Sequence, residues 1–101
     1  MKSDYWSKNY KIAKDKFNES LISLSNKGLN VEHEELSINQ NDPEDNPLYI
    51  DVAWIGNKDA HKLYMSTSGI HGVEGFAGSA IQVSVLNQIN KLPSDTALAF
   101  I

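Results

Sequence analysis

The chain has 101 residues, 41% of them hydrophobic and 22% charged, which is the balance of one folded globular domain and excludes a disordered or fibrous protein. The net charge is −4 and all nine basic residues are lysines, so the electrostatic footprint of a nucleic-acid-binding protein is lacking. Cysteine is absent, which removes disulfides and thiolate metal sites and leaves His, Asp and Glu as the metal donors.

From the N-terminus, Met1 to Phe17 has no continuous apolar core of signal-peptide type, and no stretch approaches the eighteen or so apolar residues that cross a bilayer. A cytoplasmic protein without membrane contact is expected. Trp6, Tyr10, Ala13, Phe17, Leu21 and Leu24 recur at helical spacing and predict a first amphipathic helix, capped by Ser3 or Asp4 and closed by Gly28. Leu29 to Ile38 reads as a strand with a bulge around Glu34-Glu35. The carboxylates Glu32, Glu34 and Glu35 mark a solvated edge, and His33 among them reads as a surface histidine rather than a ligand.

Asn39 to Pro47 has loop composition. Leu48 to Ile55 then alternates as a second strand, with Leu48, Ile50, Val52 and Trp54 on one face and Tyr49, Asp51, Ala53 and Ile55 on the other. The turn chemistry of Gly56-Asn57-Lys58-Asp59 predicts antiparallel pairing of this strand with a third, Lys62 to Ser68. Ala77, Ile81, Val85, Ile89 and Leu92 step along a second helix that Pro93 ends, and Thr96 to Ile101 is an apolar strand buried on both faces. Strand, helix and strand in this order form a βαβ unit with parallel strands.

Between the third strand and the second helix lies the one stretch dense in chemistry, Ser68-Gly69-Ile70-His71-Gly72-Val73-Glu74-Gly75-Phe76-Ala77-Gly78-Ser79. Ligands bind at the carboxyl ends of strands in α/β folds, and an imidazole and a carboxylate three residues apart near a helix start can reach one divalent cation. His71 and Glu74 are therefore candidate metal ligands, half of a zinc site. A His-x-x-Glu pair alone is weak evidence; its weight comes from the junction and from the glycines at 69, 72, 75 and 78, which allow close backbone approach. The bland alternative makes Glu74 a partner of the helix dipole and His71 a hydrogen-bonded junction residue. A phosphate cradle fits poorly, because no lysine occurs between Lys62 and Lys91 and Glu74 would repel an anion. His61, at the far end of the third strand, is about 20 Å away and is no co-ligand.

Asp51-Val52-Ala53, Gly56, Asp59-Ala60 and the run from Ser68 to Gln82 resemble the zinc carboxypeptidase superfamily. More narrowly, the chain is similar to a bacterial branch designated domain of unknown function 2817, whose N-terminal helix carries a Tyr and an Ala-Lys/Arg-x-x-Phe pattern, here Tyr10, Ala13-Lys14 and Phe17. The resemblance implies an α/β fold: a partial mixed sheet of about four strands flanked by two helices, the N-terminal part of a zinc-carboxypeptidase-like α/β/α domain. It implies that His71 and Glu74 are zinc ligands and that Zn2+ acts on the amide bond of a peptide or an N-acyl amino acid. In that superfamily the third ligand, the substrate-binding arginines and the catalytic glutamate come later. Residues 1–101 are accordingly expected to be an N-terminal portion of one domain, stopping within a core strand, with no catalytic residue of their own and the remainder of the domain as partner. A carboxypeptidase-like hydrolase, an N-acyl amino acid deacylase and a non-catalytic α/β binding module all stay open.

Overall fold

A computed structural model describes residues 5–41, 43, 45–69, 75–92 and 95–101. The elements are α1 (Tyr10–Asn26), β1 (Val31–Asn41), β2 (Pro47–Gly56), β3 (Lys62–Ser66), α2 (Gly75–Gln88) and β4 (Thr96–Phe100), which make the expected α/β fold of two helices and a four-strand mixed sheet. The stripe of α1 buries Phe17, Leu21 and Leu24, as its spacing dictates. The helix starts later than the stripe suggests. Asn9 is the N-cap, its Oδ1 accepting from the Ile12 N–H at 2.9 Å, and Trp6 stands ahead of the first turn. Ser3 and Asp4, the expected caps, lie outside the described residues.

The strand order is β1-β2-β4-β3, with β2 antiparallel to both β1 and β4, and β3 parallel to β4. The expected β2–β3 pairing is thus replaced, because β4 lies between the two. The physical reason is in the side chains. Ala97, Ala99 and Phe100 are buried, so β4 is apolar on both faces and suits an interior position, whereas Leu63, Tyr64 and Met65 of β3 stay exposed at an edge. Gly56 shows how closely β2 and β4 approach: its φ is 111°, and a Cβ there would stand 2.9 Å from the Thr96 carbonyl oxygen.

Register between β1 and β2 runs unbroken from Val31↔Ile55 to Ser37↔Tyr49, so there is no bulge at Glu34-Glu35. The irregularity falls between Ser37 and Asn41, around Asn39, whose φ of 58° is a left-handed conformation that asparagine tolerates. Glu32, Glu34 and Glu35 are exposed on this outer strand, as expected of a charged edge.

Both helices lie on the sheet face that carries Ala53, Ile55 and Phe100, and these three form one core with Phe17, Leu21, Leu24 and Leu86. A polar bridge joins the helices within this layer: Asn87 Nδ2 donates to Ser20 Oγ at 3.0 Å. In α2 the buried apolar positions are Ala80, Val83 and Leu86, while Ile81 and Val85 of the expected stripe are exposed. Nearly every position of this helix is apolar or small, so step-of-four spacing does not single out its inner face. On the opposite sheet face Leu36, Ile50, Leu63 and Met65 remain 45–62% exposed. Among the described residues no helix is long and apolar enough to cross a membrane.

Leu24 is fully buried at the centre of the helix–sheet layer, whereas Ile22 on the outer side of α1 is 61% exposed. Urea unfolding is expected to show a loss of about 3 kcal/mol for Leu24→Ala and less than about 0.5 kcal/mol for Ile22→Ala.

Candidate metal centre

β3 and β4 are parallel, so the chain leaving β3 crosses to α2 at the carboxyl ends of both strands. The last described residues on either side of the crossing are Ser68-Gly69 and Gly75-Phe76. Gly69 has a left-handed φ of 74°. A Cβ on Gly78 would stand 2.7 Å from Ser68 Cβ, which means that the first turn of α2 packs directly on the end of β3 and tolerates no side chain there. The candidate ligands His71 and Glu74, with Gly72, lie in the connection itself and outside the described residues. The donor chemistry of that connection, one imidazole and one carboxylate without thiolate, suits zinc in an open site. His61 is exposed at the other end of β3, away from the crossing.

Sequence reasoning missed a second constellation close by. β4 pairs with β2 as far as Ala53, and among the described residues the first half of β2 has no strand neighbour on that side. The N-terminal half of α1 covers it instead. Tyr10 Oη donates to the Tyr49 carbonyl at 3.2 Å and accepts from the Tyr49 N–H at 3.0 Å, supplying the backbone partners that a strand would have given. One turn on, Lys14 Nζ lies 2.7 Å from Asp51 Oδ1 and 3.5 Å from Glu35 Oε1, above the Tyr49 ring at 4.7 Å. His33 Nε2 meets the same Asp51 oxygen at 2.8 Å, and its ring stands edge-on to Phe17 with centroids 5.9 Å apart. His33 is therefore half-buried and paired rather than a free surface histidine.

Among the described residues His33, Glu35 and Asp51 are the one group whose donor atoms, all within 4.8 Å of one another, have the spacing of a metal site. The Lys14 ammonium already sits against both carboxylates. A divalent ion would have to displace it and then bear its repulsion, so this cluster does not fit zinc. A cavity of about 310 Å³ separates it from the crossing, with Tyr10, Lys14, Phe17 and Asp51 on one side and Ser68 and Phe76 on the other.

A family model described as "Protein of unknown function (DUF2817)" matches residues 6–101. The chain belongs to this family. Tyr10, Lys14 and Phe17, the helix residues that resemble the family's pattern, are thus the ones that fasten α1 to β2. No curated protein matches the chain. Three solved structures of glutaminyl cyclases are similar to it. That from Porphyromonas gingivalis is 12% identical with a TM-score of 0.48 over 97% of this chain and 46% of that one. That from Fimbriiglobus ruber is 13% identical with a TM-score of 0.46 over 95% and 38%. That from Macrostomum lignano is 18% identical with a TM-score of 0.49 over 93% and 30%. The chain spans less than half the length of each of these proteins.

Burial raises the Tyr10 pKa above its ordinary 10.0, with the hydrogen bond to Tyr49 acting the other way. For Lys14 burial acts to lower the pKa, but the hydrogen bond and charge of Asp51, helped by Tyr10 and Glu35, outweigh it and leave the pKa above 10.5. Both groups hold their proton more tightly folded than unfolded. Their contribution to stability is complete below the unfolded values and is lost as pH rises through the folded ones. Urea midpoints of this DUF2817 protein are expected to fall above about pH 10, and the Tyr10→Phe/Lys14→Met double variant is expected to show a shallower fall over the same range.

Proposed function

We propose that the protein is the metal-binding part of a zinc-dependent hydrolase of amide bonds, of the carboxypeptidase type or an N-acyl amino acid deacylase of the same superfamily, with His71 and Glu74 as two of the zinc ligands. The observation that carries this reading is the parallel β3–α2–β4 unit, whose helix packs at Gly78 directly on Ser68. The connection that bears His71 and Glu74 follows the carboxyl end of β3, the end at which α/β folds bind ligands, and this supports the reading. The cavity beside Ser68 and Phe76 supports the same reading, since its volume of about 310 Å³ would accommodate an acyl group or side chain of a bound substrate.

When bound, zinc supplies a Lewis acid for the scissile carbonyl and a water of lowered pKa. In this account His71 donates a neutral ring nitrogen and Glu74 an anionic oxygen. Together they leave coordination positions open for the third ligand, which the superfamily takes from a later segment, and for substrate. The glycines on either side of the connection have distinct tasks. Gly78 lets α2 close on the strand end, and Gly69 turns the chain out of β3. The Lys14–Asp51–His33 cluster is no part of the chemistry here; it fixes α1, one wall of the cavity, on the sheet. A peptide or an N-acyl amino acid is the proposed substrate.

Calorimetric titration of zinc into the protein tests the assignment. Two protein ligands leave much of the coordination sphere to water, so affinity is expected in the micromolar range or weaker, reduced roughly tenfold or more by His71→Ala or Glu74→Ala. His33→Ala is expected to leave it within about twofold, since Lys14 fills the cluster where His33 stands. Zinc affinity unchanged in both the His71 and Glu74 variants removes the reading.

A further inference from the structure

The cavity of about 310 Å³ has room for roughly ten water-sized groups at about 30 Å³ each. Ala13 and Phe17 of α1 and Phe76 of α2 make part of its wall apolar. The charges on the wall cancel: Lys14 Nζ stands 2.7 Å from Asp51 Oδ1, and both side chains are only 14% exposed. An anion in the cavity would therefore meet Asp51 and a cation would meet Lys14, each against like charge.

Several polar groups of the wall already have partners. Tyr10 Oη exchanges hydrogen bonds with the Tyr49 backbone. Ser68 Oγ donates to Gln82 Oε1 at 3.1 Å, and Gln82 Nε2 donates to the Ser66 and Ile101 carbonyls at 3.0 and 3.2 Å. Asp51 meets Lys14 and His33 with one oxygen, Oδ1, and its Oδ2 has no hydrogen-bond partner among the described residues. The Ser79 hydroxyl, on the α2 side of the same cavity, has none either. Asp51 Oδ2 can only accept, whereas the Ser79 hydroxyl can donate.

We propose that this cavity is a binding site for a small uncharged carboxamide with an apolar substituent. The amide N–H goes to Asp51 Oδ2, the amide carbonyl accepts from the Ser79 hydroxyl, and the substituent lies against Phe17 and Phe76. An amide fits because it offers a donor and an acceptor without charge. A carboxylate of the same shape has no N–H for Asp51 and meets its charge; an amidinium has no carbonyl for Ser79 and meets the Lys14 ammonium. As a substrate subsite the cavity rests on the amide-hydrolase reading above; as a binding site it does not, since every residue named lies among the described ones.

The test titrates metal-free, nitrogen-15-labelled protein at neutral pH with benzamide, benzoate and benzamidine, three probes of one shape that differ in charge. Benzamide is expected to shift the amide signals of Asp51, Ser68 and Ser79 with a Kd of about 1 mM, and the other two to bind at least roughly tenfold more weakly. Phe76 and Ser79 are only partly buried, so their replacement leaves the core intact. Phe76→Ala and Ser79→Ala are each expected to weaken benzamide roughly fivefold or more, and Lys58→Ala, distant from the cavity lining, to leave it within about twofold. Absence of shifts at Asp51, Ser68 and Ser79 overturns the site. Benzoate or benzamidine binding as tightly as benzamide overturns the amide selectivity, and a benzamide affinity unmoved in both the Phe76 and Ser79 variants overturns the placement. Selective benzamide binding by a protein that takes up no His71-dependent zinc supports the cavity as an amide site and removes the hydrolase reading alone.

Discussion

Two parallel strands cannot be joined by a hairpin, and that constraint organises the molecule. Leaving β3, the chain must pass over the sheet as α2 before it can return as β4, so the β3–α2 connection is forced to the carboxyl edge. The surroundings make that passage tight. Gly78 seats the helix on Ser68, and Gln82 fastens it to Ser66, Ser68 and Ile101. The framework holds both ends of the stretch 70–74, which carries His71 and Glu74.

The second fixed point is the pairing of α1 with the exposed half of β2. Tyr10 Oη supplies backbone hydrogen-bond partners for Tyr49, and Lys14 neutralises Asp51 on the inner sheet face. Lys14 and Asp51 have side chains only 14% exposed, so the pair is better shielded than the surface bridge between Lys58 and Glu32, where 66% and 59% are exposed. The same shielding is the reason Lys14 cannot be removed without leaving Asp51 short of positive charge. α1 thus binds through apolar contacts at Phe17, Leu21 and Leu24 and is set in register by the Tyr10 hydrogen bonds and the Lys14 ion pairs.

The elements were legible from local pattern and their arrangement only in part. Alternation in Leu48 to Ile55 announces β2, but it does not say that Ala53 and Ile55 meet the helices while Ile50 faces outward; that depends on where α1 lands. The turn residues after Gly56 suggest a hairpin because they are turn residues in any context. The strand order is set instead by β4, whose burial on both faces claims the interior position. Lys14, His33 and Asp51 share no spacing, and their convergence is a tertiary fact. One signal was present: Asp51 alternates with Ala53 and Ile55, and a carboxylate on a buried face needs a cation. His71 and Glu74, in the glycine-rich run 68–79, lie outside the described residues, so that candidate site rests on the sequence alone.

The most direct measurement is the position of the metal itself. A crystal of the protein grown with zinc, with diffraction recorded at the zinc absorption edge, yields an anomalous difference map that locates the ion without reference to affinity. The account predicts a peak at the carboxyl end of β3, within about 2.0–2.2 Å of a ring nitrogen of His71 and a carboxylate oxygen of Glu74. A peak instead between His33, Glu35 and Asp51, with the Lys14 ammonium displaced, would contradict it.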